Sequence, residues 1–403
     1  IQNSDCLSPL GLMNLGSTEI QAQGWGANNS ADRIVLDQGV NHCDYGGGAL
    51  PGYTLGDSIR IKIVETDTSY FLRPSDYRGS LVFDNGVTII KEFNPSCFLE
   101  IGSNDGTLIK NFDKKKSICV EPCKNHAKIT RKMGYKTYPK YWNLSLAKKI
   151  KKENKKIDLI YSANTISHIH DLTSVFKSAE YVLSKNGILI IEDPSLLECL
   201  KLGSYDQFYN EHIHVFSLLS ISKLVRKQNM EVYNIETLNT AGGSIRYYIK
   251  KKVNKNIRIK KSVLSQLKKE KKHGLDKFKT YQLFGKKIRK SKQKLRKIFI
   301  NLKKQNKKII SYGATAKSCT VFNYCNLGKN LIDYVVDTTP EKIDKYTPGT
   351  HIKIKKYKKN SLNNVDYAFL SAWNFKDEIF NKEKKYIKKG IKFITHTPKP
   401  RII

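Results

Sequence analysis

From residue 97 onward, short apolar runs alternate with amphipathic stretches, and no other feature constrains the fold as strongly. The candidate strands are 97–101, 117–121, 135–138, 158–163 and 187–192. This alternation is typical of a parallel sheet covered by helices. A helix at 218–229 and strands at 231–238 and 244–250 would complete the same sheet. We therefore predict one doubly wound α/β domain.

A second α/β unit follows, with candidate strands at 308–313, 331–337, 366–371 and 392–396. Between the two units, residues 256–306 are dense in lysine and carry apolar residues at helical spacing, which predicts a basic amphipathic helix or helical pair. The predicted fold class is α/β, with a Rossmann-like domain and then a second Rossmann-like domain. The predicted bounds are 1–92 for a divergent N-terminal segment, 93–255 for the first domain, 256–306 for a basic helical linker and 307–403 for the last domain.

Charge invites a nucleic-acid interpretation, since 72 Lys+Arg against 36 Asp+Glu leave a net charge of +36. Most of this charge is lysine spread over every segment after residue 100, whereas a nucleic-acid footprint is clustered. No apolar run approaches the roughly 18–20 residues that span a bilayer. The eight cysteines show no paired spacing, which suits a reducing compartment. We expect a cytoplasmic protein with neither a nucleic-acid nor a membrane partner.

A glycine-containing turn, EIGSNDGTL at 100–108, follows the first strand of this sheet. Glycines there allow a ligand to approach the backbone. The acids Glu100 and Asp105 would repel a pyrophosphate but not the cationic methionine end of S-adenosylmethionine. At the end of the next strand, Glu121 is placed to accept ribose hydroxyls. The turn and Glu121 together predict an S-adenosylmethionine site, with a helix expected after the turn.

A third loop at the same edge of the sheet carries SANTISHIHDL at 162–172. Asn164 and His168 would face the cofactor or the substrate, although His168 could equally cap the loop through a hydrogen bond. The residues predicted to contact the cofactor are Glu100, Gly102, Ser103, Asn104, Asp105, Gly106, Glu121, Ala163, Asn164 and His168.

The run YNEHIHVFS at 209–217 groups titratable side chains in an irregular segment. Histidine can act as a base near neutral pH, a neighbouring carboxylate can orient its ring, and a tyrosine hydroxyl can donate to a developing oxyanion. Two histidines and a glutamate could instead bind a metal ion, but no further ligands lie nearby in the sequence. We predict no metal, and His212, Tyr209 and Glu211 as catalytic residues.

In the last domain, YGATAKSCTVFNYC at 312–325 again places a small-residue turn between a strand and a helix. Such a turn can cradle phosphate, with Lys317 as the counter-charge. Close packing of helix against strand is the alternative explanation for the small residues. We predict that Gly313, Lys317 and Asn323 bind substrate.

These motifs together resemble the deoxysugar C-methyltransferase family, which methylates a carbon of a keto sugar attached to a nucleoside diphosphate. The resemblance runs from about residue 97 to 398 and includes AGGSIRYY (241–248), IDYVVDTTPEKIDKYTPGTHIKI (332–354) and LSAWNF (370–375). It implies that Tyr209, Glu211 and His212 bind substrate and abstract a proton. The family usually has histidine where Asn210 stands, and it opens with a CxxC zinc module. Cys6 and Cys43 are single here, so we expect no zinc.

The resemblance also implies a catalytic tyrosine upstream of the glycine turn, for which Tyr70 and Tyr77 are candidates. Our hypothesis is that His212 removes the proton beside the sugar ketone, Tyr209 stabilises the enolate and Glu211 holds His212. The enolate carbon then takes the methyl group of S-adenosylmethionine. The rival interpretations are an RNA methyltransferase that uses the basic surface and a nucleotide-sugar or RNA-binding protein without catalysis. The sequence has no NPPY-like motif for a target base, which argues against an RNA methyltransferase. The intact glycine turn and the intact set of Tyr209, Glu211 and His212 argue against a protein without catalysis.

Overall fold

The computed structural model describes residues 90–153 and 156–403. The predictions that concern Cys6, Cys43, Tyr70 and Tyr77 therefore lie outside the described residues. By their contacts the described residues divide into two units. The first unit comprises 90–196 and His214–Asp276, and the second unit comprises Leu197–Ile213 and Lys277–Ile403. The predicted domain bounds run differently, because the segment Leu197–Ile213 groups with the second sheet rather than the first.

The first unit is built on a seven-stranded sheet in the order β3-β2-β1-β4-β5-β7-β6. The strands are β1 (Phe98–Ile101), β2 (Ser117–Val120), β3 (Lys136–Tyr138), β4 (Ile157–Ala163), β5 (Leu183–Pro194), β6 (Met230–Leu238) and β7 (Ser244–Lys251). Strand β7 pairs antiparallel with β5 and β6, and the other pairings are parallel. All seven predicted strands of this sheet are confirmed.

The α-helices of the described residues follow the predicted amphipathic stretches. They are α1 (Lys124–Lys132), α2 (Leu144–Glu153), α3 (Leu172–Val182), α4 (Leu196–Leu202), α5 (Leu218–Lys227), α6 (Lys261–Lys272), α7 (Phe278–Lys304), α8 (Ala316–Cys325), α9 (Lys376–Lys382) and α10 (Lys384–Lys388). None of them is long and apolar enough to cross a membrane. The predicted basic helical pair is α6 and α7, which belong to the first and the second unit respectively.

Local capping explains where two of the first unit's helices begin. Asp171 accepts a hydrogen bond from the Ser174 backbone N–H and so caps α3. Helix α5 begins at a Ser217–Ser220 capping box. The buried carboxylate of Glu270, on α6, also accepts from the first two backbone N–H groups of α5. Helices α5 and α6 are thereby joined within one unit.

The second unit has a six-stranded sheet in the order β10-β9-β8-β11-β12-β13. Its strands are β8 (Ile309–Tyr312), β9 (Val335–Asp337), β10 (Ile354–Lys356), β11 (Tyr367–Leu370), β12 (Lys392–Thr395) and β13 (Arg401–Ile402). Only β13 pairs antiparallel. The four predicted strands are confirmed, and β10 and β13 were missed because they are only three and two residues long. The strand order reverses between β8 and β11. Open α/β sheets bind ligands beyond the carboxyl ends of their strands at such a reversal.

One predicted helix is wrong. After the glycine turn of the first unit the chain forms only a 3-10 turn, Ile109–Asn111. The Asn111 side chain donates to the carbonyl oxygens of Leu108 and Thr107, so its amide competes with helical hydrogen bonds.

Candidate active site

The glycine turn after β1 needs both of its glycines. Gly102 has φ +75, and a Cβ there would lie 2.3 Å from Oγ1 of Thr165 in the loop after β4. Gly106 has φ +84, and its Cβ would lie 3.0 Å from a methyl carbon of Thr130. L side chains rarely adopt these backbone angles. The turn therefore keeps the backbone open at the carboxyl edge of the sheet.

Glu121 follows β2 and is fixed by two backbone donors. The N–H of Asn104 donates to Oε2 at 2.8 Å, and the N–H of Cys123 donates to Oε1 at 2.9 Å. A carboxylate oxygen has two lone pairs, so each oxygen keeps room for one more donor. The side chain is 5% exposed and lies at the position predicted for a ribose acceptor.

Glu100 lies on β1, below the glycine turn, and its Oε2 is buried without a hydrogen-bond partner among the described residues. Burial raises the pKa of Glu100 well above its usual value, and the nearby carboxylates of Glu121 and Asp105 raise it further. Three carboxyl groups in one place favour a cationic ligand and disfavour a phosphate. These residues fit the sulfonium and ammonium charges of S-adenosylmethionine, with Glu121 on its ribose. Asp105 also accepts from the backbone and hydroxyl of Thr107, which shapes the turn.

The loop after β4 starts at Ala163 and contains Asn164, which is exposed and has φ +50. The Asn164 N–H donates to the carbonyl oxygen of Glu192 on β5 at 2.7 Å. His168 ends a 3-10 turn, Ile166–His168, and is half-buried. Its two predicted roles, ligand contact and loop cap, stay open.

Sequence reasoning missed Asp193, which lies beneath this loop on β5. Its Oδ1 accepts from the backbone N–H of Ser167 at 3.4 Å, and its Oδ2 is buried without a hydrogen-bond partner among the described residues. Burial raises the pKa of Asp193 to about 7. An acidic residue inside an apolar strand was the available signal.

Tyr209 and His212 form a buried pair in the second unit. The Tyr209 hydroxyl lies 2.7 Å from Nε2 of His212, and Nδ1 of His212 lies 2.9 Å from the carbonyl oxygen of Gln207. A carbonyl oxygen only accepts, so Nδ1 carries the hydrogen of the neutral ring. Nε2 is then the acceptor, and the Tyr209 hydroxyl donates to it. The two side chains are 4% and 5% exposed.

The orienting acceptor on Nδ1 is thus a backbone carbonyl. The sequence predicted that role for Glu211, which is half-buried, as is Asn210. The role of Glu211 stays a prediction.

His214, two residues after His212, contacts the carbonyl oxygen of His170 within the first unit, and burial lowers the pKa of His214 to about 4. It is therefore neutral at physiological pH.

Asp206 precedes Gln207 and is held by groups that lie beyond the carboxyl ends of three strands of the second sheet. Its Oδ2 accepts from the Trp373 indole N–H at 2.6 Å, and its Oδ1 lies 3.3 Å from Nε2 of His396. Burial alone would raise the pKa of Asp206, but the charges of His396 and Lys317 and the indole hydrogen bond lower it below its usual value. No local sequence pattern indicates this cluster.

Lys317 lies in the first turn of α8, after the small-residue turn, as predicted. Its ammonium is buried, has no hydrogen-bond partner among the described residues and lies 5.6 Å from the Trp373 ring centroid. Burial lowers the pKa of Lys317, and the negative charge of Asp206 opposes that shift. Lys317 is therefore a counter-charge for Asp206. Direct contact of Lys317 with a phosphate stays a prediction.

The other two residues predicted to bind substrate, Gly313 and Asn323, take part in hydrogen bonds within the second unit. Gly313 has φ +97, and the Ser371 hydroxyl is 2.6 Å from its carbonyl oxygen. The Asn323 amide donates to the carbonyl oxygens of Cys319 and Pro348. Within residues 90–153 and 156–403, no group of three His, Cys, Asp or Glu side chains could hold a metal ion.

Two family models match this chain. A methyltransferase domain matches residues 77–235, and a C-methyltransferase C-terminal domain matches residues 239–398. C-methyltransferase NovU of Streptomyces niveus is 28% identical over 307 residues, which is 76% of this chain and 73% of NovU.

Solved structures are also similar to part of this chain. An S-adenosylmethionine-dependent methyltransferase of Clostridium acetobutylicum is 15% identical, with 42% of this chain and 89% of that chain covered and a TM-score of 0.34. The PH0226 protein of Pyrococcus horikoshii is also 15% identical, with 46% and 100% covered and a TM-score of 0.36. The fold assignment rests instead on the strand order and the family models.

Proposed function

Because this chain belongs to the S-adenosylmethionine-dependent C-methyltransferases, we propose that it methylates a carbon beside the ketone of a nucleoside-diphosphate-linked keto sugar. The observation that carries the proposal is the buried hydrogen bond between Tyr209 and His212. A carbon acceptor, unlike an oxygen or nitrogen acceptor, has to lose a C–H proton before it becomes nucleophilic. The site therefore needs a base together with a donor for the enolate oxygen.

His212 provides the base. With its hydrogen on Nδ1 directed at Gln207, the neutral ring has its lone pair on Nε2. The hydrogen bond to a carbonyl oxygen stabilises the ring when Nε2 becomes protonated, because the charged ring donates more strongly. His212 thus accepts the proton without changing its orientation.

Tyr209 provides the donor, and its hydrogen bond to His212 determines when the hydroxyl hydrogen becomes available to the substrate. In the resting pair the hydroxyl hydrogen of Tyr209 is directed at Nε2 of His212. Because Nε2 has a single lone pair, the Tyr209 hydroxyl has to turn away from it before Nε2 can take the substrate proton, and the hydroxyl hydrogen is then directed at another acceptor. A developing enolate oxygen would be that acceptor. Proton removal and oxyanion stabilisation then follow from one switch of hydrogen-bond direction.

S-adenosylmethionine, when bound, supplies an electrophilic methyl group on a sulfonium centre. Glu121 and the turn from Gly102 to Gly106 would hold it through the ribose and the backbone. Asp105 would balance its positive charge, and that charge would favour the ionised form of Glu100, whose pKa is raised without it. A ketone acidifies the neighbouring carbon, and the Tyr209–His212 pair offers both groups that enolisation needs. The sequence resemblance supports the sugar as the group that carries the ketone.

The test is mass spectrometry of products. The purified full chain is incubated with methyl-labelled S-adenosylmethionine and a panel of nucleoside-diphosphate keto sugars, and in parallel with cellular RNA. We expect a mass increase of one labelled methyl group on one sugar, with the label on a carbon. His212→Asn should give no product while still binding the cofactor. Label in RNA without label in any sugar would overturn the proposal.

A further inference from the structure

Glu100 is an acid that lies against the apolar core of the first unit. Side chains two positions apart on a strand share a face of the sheet, so Glu100 is on the same side of β1 as Phe98. The register pairs Glu100 with Cys119 of β2 and with Tyr161 of β4. Phe98, Cys119 and Tyr161 all belong to one buried apolar cluster. This environment disfavours a charged carboxylate that has no partner.

The ionisable groups that act on Glu100 from the surrounding described elements are neutral or negative. They are the carboxyl groups of Glu121 and Asp105, the thiol of Cys119 and the phenols of Tyr135 and Tyr161. Burial raises the pKa of the thiol and of both phenols, so these three groups are uncharged at physiological pH. Oε2 of Glu100 is buried and has no hydrogen-bond partner among the described residues. Burial and two neighbouring acids therefore oppose the ionisation of Glu100 in the empty site.

A cationic ligand reverses this balance. A positive charge close to a buried carboxyl group favours its ionised form. S-adenosylmethionine carries one positive charge more than S-adenosylhomocysteine, because the sulfonium becomes a neutral thioether when the methyl group leaves. The cofactor and its product thus differ in the property to which Glu100 responds.

We propose that Glu100 distinguishes the cofactor from the product by charge, because it releases its proton when S-adenosylmethionine binds and takes a proton back when only S-adenosylhomocysteine is left. In the first step the O–H bond of the Glu100 carboxyl group breaks and the proton passes to solvent, which leaves a carboxylate beside the cation. In the second step the carboxylate takes one proton from solvent. The inference concerns the cofactor site and does not depend on which acceptor is methylated.

Release of a proton gives the affinity for S-adenosylmethionine a pH dependence of definite sign. A higher pH removes the proton before the ligand binds, so the affinity rises with pH. The increase is up to about tenfold per pH unit where one proton is released, and it ends once Glu100 is already ionised in the empty site. The affinity for S-adenosylhomocysteine should change less over the same range.

Calorimetry on the wild-type chain counts the released protons directly. Each ligand is titrated between pH 5 and 8 in phosphate and in Tris, whose ionisation enthalpies differ, and the difference in binding heat gives the number of protons. We expect S-adenosylmethionine to release up to about one proton and S-adenosylhomocysteine to release clearly less at the same pH. Equal release for the two ligands, or no release at any pH in this range, would overturn the inference.

Variants then assign the proton to a residue. Glu100→Gln imitates the protonated acid, so it should bind S-adenosylmethionine without proton release, with an affinity that no longer rises with pH and is about tenfold lower at pH 8. It should bind S-adenosylhomocysteine as the wild type does. The matched control is Asp193→Asn, which removes another buried acid of the first unit whose pKa is raised and should keep the proton release. Release that persists in Glu100→Gln, or that disappears in Asp193→Asn, would refute the assignment. The comparison of the two ligands on the wild type decides the inference even where a variant unfolds.

Discussion

The backbone N–H of Asn104 donates a 2.8 Å hydrogen bond to Oε2 of Glu121, which connects the glycine turn after β1 to the acid after β2. We predict that Glu121→Gln lowers the affinity for S-adenosylhomocysteine about ten- to a hundredfold, because an amide replaces a charged acceptor. Calorimetry measures the change. Glu378→Gln, at an exposed position on α9, is the control and should bind normally. Unchanged affinity in Glu121→Gln would remove Glu121 from the cofactor site.

Gly102 should tolerate no side chain, because a Cβ would lie 2.3 Å from Thr165 Oγ1 in addition to the strain of φ +75. We expect Gly102→Ala to abolish cofactor binding and to lower the free energy of unfolding. Gly390→Ala separates the two effects, since Gly390 has φ +97 but no atom within 4 Å of its Cβ position. It should cost only about 1–2 kcal/mol of backbone strain and keep cofactor binding. Similar losses in both variants, measured by denaturation and calorimetry, would contradict this account.

Trp373 should affect catalysis through Asp206, whose neighbour Gln207 holds the His212 ring. Trp373→Phe removes the indole N–H but keeps an aromatic ring beside Lys317. We expect kcat to fall while the affinity for S-adenosylhomocysteine stays constant. Trp142→Phe is the matched control, since its indole N–H donates to the Val175 carbonyl oxygen in the first unit. The control should lose stability of about 1–3 kcal/mol and retain kcat. An equal fall of kcat in both variants would show a general structural effect.

Asp193 should make stability depend on pH. Burial raises its pKa from 3.8 in the unfolded chain to about 7 in the folded chain. Its contribution to stability is therefore complete below about pH 4 and is lost as the pH rises to about 7. We predict that Asp193→Asn gains stability relative to the wild type between pH 4 and 7, with no further gain above that range. Urea denaturation at several pH values measures it. A difference that is constant across this range would contradict the prediction.

Much of the fold could be predicted from the sequence, because buried parallel strands are continuous apolar runs with a recognisable period. The two missed strands are short and mostly exposed, with Lys355 and Lys356 on β10 and Arg401 and Ile402 forming β13, so they carry no such pattern. The glycine turn after β1 could be predicted as well, since its residues are consecutive, and its contact with the cofactor stays a prediction.

The hydrogen bonds that position the Tyr209–His212 pair could not be predicted in this way. Asp206 and Trp373 are 167 positions apart, and no local pattern connects them. The Gln207 carbonyl that orients His212 is a backbone group, which every residue type carries. Sequence reasoning therefore pointed to the neighbouring side chain of Glu211.

The most direct test of the central claim follows proton removal separately from methyl transfer. The full chain is given a nucleoside-diphosphate keto sugar and S-adenosylhomocysteine in deuterated water, and exchange of the proton beside the ketone is followed by NMR. We predict exchange in the wild type and a loss of about 10² to 10⁴-fold in His212→Asn, with both ligands still bound. Tyr209→Phe should also exchange slowly, because the enolate loses its donor. Exchange at the wild-type rate in His212→Asn would show that the base is another residue and would contradict the account.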